Sequence, residues 1–102
     1  MKKILPVGSI IYLKEGTAPL VIVAVAQLVK KAQDDETITY FDYAGSIYPQ
    51  GFSEENLFYF NHENIAEVVF TGYESEQHDR YLKAIEEWKE NNADSFELGK
   101  VE

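Results

Sequence analysis

The feature that most limits the fold is an uninterrupted run of seven apolar residues, 20–26. Seven residues are too few to cross a bilayer, which takes roughly 20. Four of the seven are Val or Ile, and β-branched side chains favour strands over helices. The run therefore predicts a central strand buried on both faces of a sheet, although periodicity alone also fits a buried helix.

Other segments also have the composition of strands and raise the expected sheet to about five strands. They are residues 10–13, 37–43, 57–60 and 65–70. The polar connection 30–36 predicts a hairpin between the second and third strands, and two glycines and a proline make 44–52 a structured loop. Ser53 and Asn61 are each placed to cap a single helical turn.

From Ser75 to Asn91 the apolar pattern has the period of an amphipathic helix. Its apolar residues recur at offsets 0, 1, 4 and 7, which places them on one face: Tyr81, Leu82, Ile85 and Trp88. We expect this face to dock on the sheet as core.

The predicted class is α+β, with a small antiparallel sheet and a C-terminal helix packed on it. The sheet can be open or rolled into an SH3-like barrel. With 102 residues the chain is the size of one domain, which we place at residues 1–92. Residues 93–102 contain few large apolar side chains and predict a loosely packed or frayed tail.

Charge and composition narrow the possible partners. Eighteen acidic residues against nine basic ones give a net charge of −9, which disfavours nucleic acid and anionic lipid and is compatible with a basic partner. The sequence has no cysteine, which fits a reducing compartment, and no apolar stretch follows the basic start at Lys2 and Lys3. We expect a cytoplasmic protein that does not insert into membranes.

The pattern of reactive side chains does not indicate an enzyme. His62 and His78 are the only histidines and lie outside any metal-binding or catalytic motif. No catalytic residue, metal or cofactor is expected. The enzyme alternative requires a pocket that joins His62 with Asp42 or Glu63.

The excess of aromatic residues in the middle of the chain points to protein binding. Tyrosine is favoured in interfaces because it offers a large contact area at a small entropic cost. The candidate binding residues are Tyr40, Asp42, Tyr43, Tyr48 and Phe52. The alternative is that the rings fill the core and their hydroxyls reach water.

Three blocks of the sequence, 5–14, 42–51 and 60–65, suggest a family. The chain resembles small uncharacterised proteins of Gram-positive bacteria that open with L-P-[VI]-G-S and carry D-Y-x-G-x-x-Y-P-x-G and F-N-H-x-x-I blocks. Those proteins are commonly encoded beside type VII secretion genes and LXG toxins. The resemblance implies an adaptor or chaperone that binds a toxin before export. An immunity protein that neutralises the toxin and a structural protein are the alternatives, and homo-oligomers are compatible with each.

Overall fold

Strand β2 (Leu20–Lys30) lies inside the sheet of this computed structural model, which describes residues 4–30 and 38–98. It pairs antiparallel with β1 (Ile10–Leu13) on one side and with β3 (Ile38–Ile47) on the other. Its buried positions are Leu20, Ile22 and Val25. The spacing between successive buried positions increases from two residues to three because a bulge between Ile22 and Ala24 adds one residue to the strand.

The prediction of a central strand is therefore confirmed, but burial on both faces is wrong. The residues of β2 between its buried positions are partly exposed. The antiparallel pairing with β3 confirms the hairpin, while most of the predicted connection, residues 31–37, lies outside the described part of the chain.

The sheet is open rather than rolled into a barrel. Its order is β4-β3-β2-β1-β5, where β4 is Phe58–Phe60 and β5 is Ile65–Phe70. No pairing joins β4 to β5 among the described strands, so the SH3-like barrel is wrong, and the α+β class is confirmed. A sixth strand, β6 (Glu97–Leu98), pairs parallel with the start of β3.

The predicted loop 44–52 is shorter than its glycines suggested. Residues 44–47 continue β3, and Gly45 lies against the ring of Phe60. A Cβ on Gly45 would stand 3.0 Å from a carbon of that ring, so glycine at this position serves close packing and does not end the strand. The loop itself covers residues 48–53.

The helix α1 (Glu76–Asn91) begins as predicted, with the Ser75 hydroxyl accepting a hydrogen bond from the His78 backbone. Leu82 and Ile85 pack against the core cluster, whose buried members are Ile11, Leu20, Ile22, Val25, Tyr43 and Phe60. No helix among the described residues is long and apolar enough to cross a membrane.

Two residues of the predicted helix face are not core. Tyr81 is 50% exposed and its hydroxyl donates to the backbone oxygen of Val25, 3.2 Å away. Trp88 is 38% exposed and stacks on Phe96 at 5.3 Å between ring centres. The apolar pattern gave the correct face of α1 but overstated how far the rings at its margin are covered.

Short 3₁₀ turns occupy Glu54–Asn56, His62–Asn64 and Ala93–Ser95. The first turn follows Ser53 as predicted, but the Ser53 side chain makes no capping hydrogen bond, so that expected role is wrong. The last turn leads to Phe96, whose ring lies 5.5 Å from that of Tyr40. The boundary at residue 92 stays a prediction. Beyond it, Phe96 contacts Trp88 of α1 and β6 pairs with β3.

Candidate functional site

A buried polar cluster lies where β3 meets the turn after β4. Tyr43 is fully buried, and its hydroxyl accepts a hydrogen bond from the Leu5 backbone N–H at 2.9 Å. The same hydroxyl lies 2.7 Å from Nδ1 of His62. While it accepts from Leu5, the hydroxyl can either donate to Nδ1 or accept from a protonated Nδ1, depending on the tautomer of His62. Tyr43 thus joins three separate segments of the chain.

Asp42 and Asn61 hold the turn His62–Asn64 against β3. A carboxylate oxygen of Asp42 accepts from the His62 backbone N–H at 2.9 Å, and the Asn61 side-chain oxygen accepts from the Asp42 backbone N–H at 3.0 Å. The Asn61 backbone N–H donates to the Asn64 side chain at 2.8 Å. These reciprocal bonds clamp the turn to β3, which is the structural role expected for residues of this kind beside a short helix.

Burial controls the protonation of the tyrosines in this region. Burial raises the pKa of Tyr43 to about 12, and the charge of Asp42 acts in the same direction while the bond from Leu5 opposes it. Burial also raises the pKa of Tyr40 well above its ordinary value, with Asp42 and Glu86 adding to the effect. Both hydroxyls therefore stay neutral near pH 7 and serve as hydrogen-bonding groups.

The cluster brings His62 and Asp42 together, as the enzyme alternative requires. The Asp42 carboxylate accepts from the backbone N–H of His62, and the ring nitrogen Nδ1 of His62 lies 2.7 Å from the Tyr43 hydroxyl. The geometry suits a fixed structural junction. Within residues 4–30 and 38–98, no group of three His, Asp or Glu side chains is placed to hold a metal ion.

A second feature is an apolar groove of about 190 Å³ at the C-terminal end of β3. Its walls come from the β1–β2 turn, the end of β3 and the start of β4: Leu13, Gly16, Thr17, Ala18, Leu20, Ile47 and Phe58. Sequence reasoning missed this groove. The available signal was the run of small residues at 16–18, which leaves space between larger apolar neighbours.

The loop that follows β3 is fixed beside this groove. The Tyr48 backbone N–H donates to the Pro19 oxygen at 3.0 Å, and the Gly51 N–H donates to the Ile47 oxygen at 2.8 Å. The Asn56 side chain bonds both Ile47 and Gly51 at 3.3 Å. The loop therefore presents Tyr48 and Phe52 on a defined backbone.

The predicted binding residues fall into two sets. Tyr40, Asp42 and Tyr43 are buried, with exposures of 5%, 3% and 0%, so they do not offer a surface to a partner. Tyr48 and Phe52 are 48% and 63% exposed. Phe58 is 43% exposed and lines the groove, while Tyr48 and Phe52 belong to the loop that follows the lining residue Ile47. We call these three residues the aromatic rim.

Residues 4–81 match a family described as Domain of unknown function (DUF4176). The chain belongs to this family. The DUF4176 match covers more than three-quarters of the chain and includes both the polar cluster and the groove. No curated protein and no solved structure matches this DUF4176 chain.

Proposed function

We propose that this DUF4176 protein is a non-enzymatic accessory factor that binds another protein through the apolar groove and its aromatic rim. The observation that carries the proposal is an apolar groove lined by the exposed ring of Phe58, next to a loop that exposes two further rings, Tyr48 and Phe52. Large apolar side chains grouped at a surface are typical of interaction sites, and buried aromatic anchors dominate binding energy.

The charge of the protein narrows the chemistry of the partner. With a net charge of −9, the protein attracts a neutral or basic surface and repels an acidic one. The groove is apolar, so we expect the partner to insert an apolar side chain there and to place basic residues around it.

The partner we propose is an LXG toxin of a type VII secretion system, bound in the cytoplasm before export. This rests on the resemblance to Gram-positive proteins encoded beside such genes. In the adaptor or chaperone role, the protein would engage the export region at the N-terminal side of the toxin.

The test is co-purification of the tagged protein with an LXG toxin encoded beside it. Phe52→Glu and Phe58→Glu should each lower the amount captured at least about tenfold, because each removes an aromatic anchor and places a carboxylate where an apolar side chain of the partner would have to pack. Leu28→Glu is the matched control, since Leu28 is a similarly exposed apolar residue, at 48%, outside the groove. Equal capture by all three variants, or capture of no toxin by the unmodified protein, would contradict the proposal.

The acidic surface also favours a second candidate, an immunity protein that blocks a basic toxin surface. The exposed side chains of α1 include several acids: Glu76, Asp79, Glu86, Glu87 and Glu90. An immunity protein would bind the toxic domain and rescue cells that express that domain alone. An adaptor would bind the isolated export region and give no rescue, so toxin truncations separate the two functions.

A further inference from the structure

Strand β5 forms one edge of the sheet and has little side-chain protection against pairing with another strand. Among the described strands it pairs only with β1. Val68, Val69 and Phe70 are 43%, 52% and 57% exposed. Natural edge strands are usually guarded by lysine, proline or several charges, whereas Ile65–Phe70 contains one charged residue, Glu67.

The apolar surface continues beyond the end of β5. Tyr73 is 84% exposed and Val7 is 55% exposed. The two lie close together because the Gly72 N–H donates to the Ser9 hydroxyl at 2.9 Å, and a Cβ on Gly72 would stand 2.5 Å from the Val7 oxygen. Edge and flank therefore form one surface, which we call the β5 edge: Val7, Val68, Val69, Phe70 and Tyr73.

We propose that the β5 edge pairs antiparallel with the β5 edge of a second copy of this chain. The strand is self-complementary about Val68. With Val68 opposite the partner's Val68, the side chain of Glu67 faces the partner's Val69 instead of a second carboxylate. An extended backbone also satisfies the outward-facing N–H and C=O groups of an edge strand, which side-chain contacts alone do not.

The distribution of charge allows a second copy to approach. Residues 65–73 contain one charged side chain, while α1 alone contains more acidic than basic residues. Repulsion between exposed charges is screened over about 8 Å at physiological salt. That distance is well below the shortest dimension of the molecule, 22 Å, so the net charge slows but does not prevent contact at a nearly neutral edge.

The exposed apolar area of the β5 edge limits the affinity of two copies for each other. Aromatic side chains have about 150–250 Å² of surface, so Phe70 and Tyr73 together expose on the order of 250 Å². A standard stable interface buries about 800 Å² from each partner. Two bulges in β5, at Ala66 and Val69, also limit regular pairing. The dimer is therefore reversible and depends on concentration.

The test is sedimentation of the purified chain over a range of concentrations. The mass should rise from 11.7 kDa towards twice that value, and added salt should strengthen association by screening like charges. Val69→Lys adds an edge guard at an exposed position and should weaken association at least about tenfold. Phe52→Lys, at an exposed rim position outside β5, should leave it unchanged.

Amide hydrogen exchange tests whether the backbone of β5 takes part in the pairing of two copies. Outward-facing amides of Ile65–Phe70 should exchange more slowly as concentration rises, and Val69→Lys should remove that effect while circular dichroism shows an intact fold. A wild-type chain that stays monomeric at millimolar concentration would overturn the proposal. A dimer that persists in Val69→Lys would also overturn it, and so would a dimer that is disrupted by Phe52→Lys instead. A monomeric wild type, or a dimer that persists in Val69→Lys, leaves the proposed capture of a partner at the groove untouched.

Discussion

Tyr43 and Tyr48 stand five residues apart in the chain and occupy opposite environments. Tyr43 is fully buried and its hydroxyl has partners at 2.9 and 2.7 Å, whereas Tyr48 is 48% exposed beside the apolar groove. One lies within β3 and the other lies just beyond its end. The comparison shows that an aromatic motif in this chain divides into a part that holds the fold and a part that is free to bind.

The largest expected difference between Tyr43 and Tyr48 is in the stability lost when each ring is removed. Tyr43→Ala should cost about 3–5 kcal/mol in the free energy of unfolding, because it leaves a cavity in the core and removes the junction to Leu5 and His62. Tyr48→Ala should cost no more than about 0.5 kcal/mol because the side chain is half in water. Urea denaturation followed by circular dichroism measures both, and equal costs would contradict the division.

Removal of the hydroxyls alone tests the polar cluster with the ring packing kept. Tyr43→Phe should cost about 1–3 kcal/mol, since the Leu5 N–H and the His62 Nδ1 then lose a buried partner. Tyr48→Phe is the matched control and should be close to neutral. The Leu5 amide should also exchange faster in Tyr43→Phe, and an unchanged rate would argue against the bond to Tyr43.

Alkaline pH tests the burial of Tyr43 in a further way. A tyrosine that is neutral in the folded protein but ionised in the unfolded chain lowers the free energy of unfolding by about 1.4 kcal/mol per pH unit. Because burial raises the pKa of Tyr43 from 10.0 to about 12, the unfolded chain loses this proton first. The stabilisation is complete below pH 10 and falls as the pH rises towards 12. The raised pKa of Tyr40 adds to the slope.

The measurement is the urea midpoint as a function of pH above about pH 9 for the wild type and the two phenylalanine variants. Tyr43→Phe should show a smaller loss of stability per pH unit than the wild type. Tyr48→Phe should follow the wild type, and the same slope in all three proteins would remove Tyr43 as a source of the effect.

Much of the fold could be predicted because local signals agreed with the tertiary structure. The β-branched run around Ile22 became an inner strand, and the change of period after Ser75 became α1 with its predicted cap. The errors arose where neighbours far apart in sequence decide the outcome. Gly45 was expected in a loop, but it lies in β3 because the Phe60 ring requires the space.

The candidate site was less predictable for the same reason. Residues 42–46 are all buried, and alternation along a strand gives no sign of burial on consecutive positions. The covering segments, such as Leu5 and the turn at His62, are distant in the chain, so Asp42 and Tyr43 looked as available as Tyr48. The groove depends on contacts among β1, β2, β3 and β4, and its only local sign is the run of small residues at 16–18.

Several hydrogen bonds tie the first described residues to residues that come much later in the chain. Leu5 bonds Tyr43, 38 positions on, Ser9 bonds Gly72, 63 positions on, and the Ile4 oxygen accepts from His78, 74 positions on. During synthesis, this opening segment cannot take its final place until the start of α1 has left the ribosome. A partner that recognises the folded domain therefore binds only after the residues up to the start of α1 have been released, and not to shorter nascent chains.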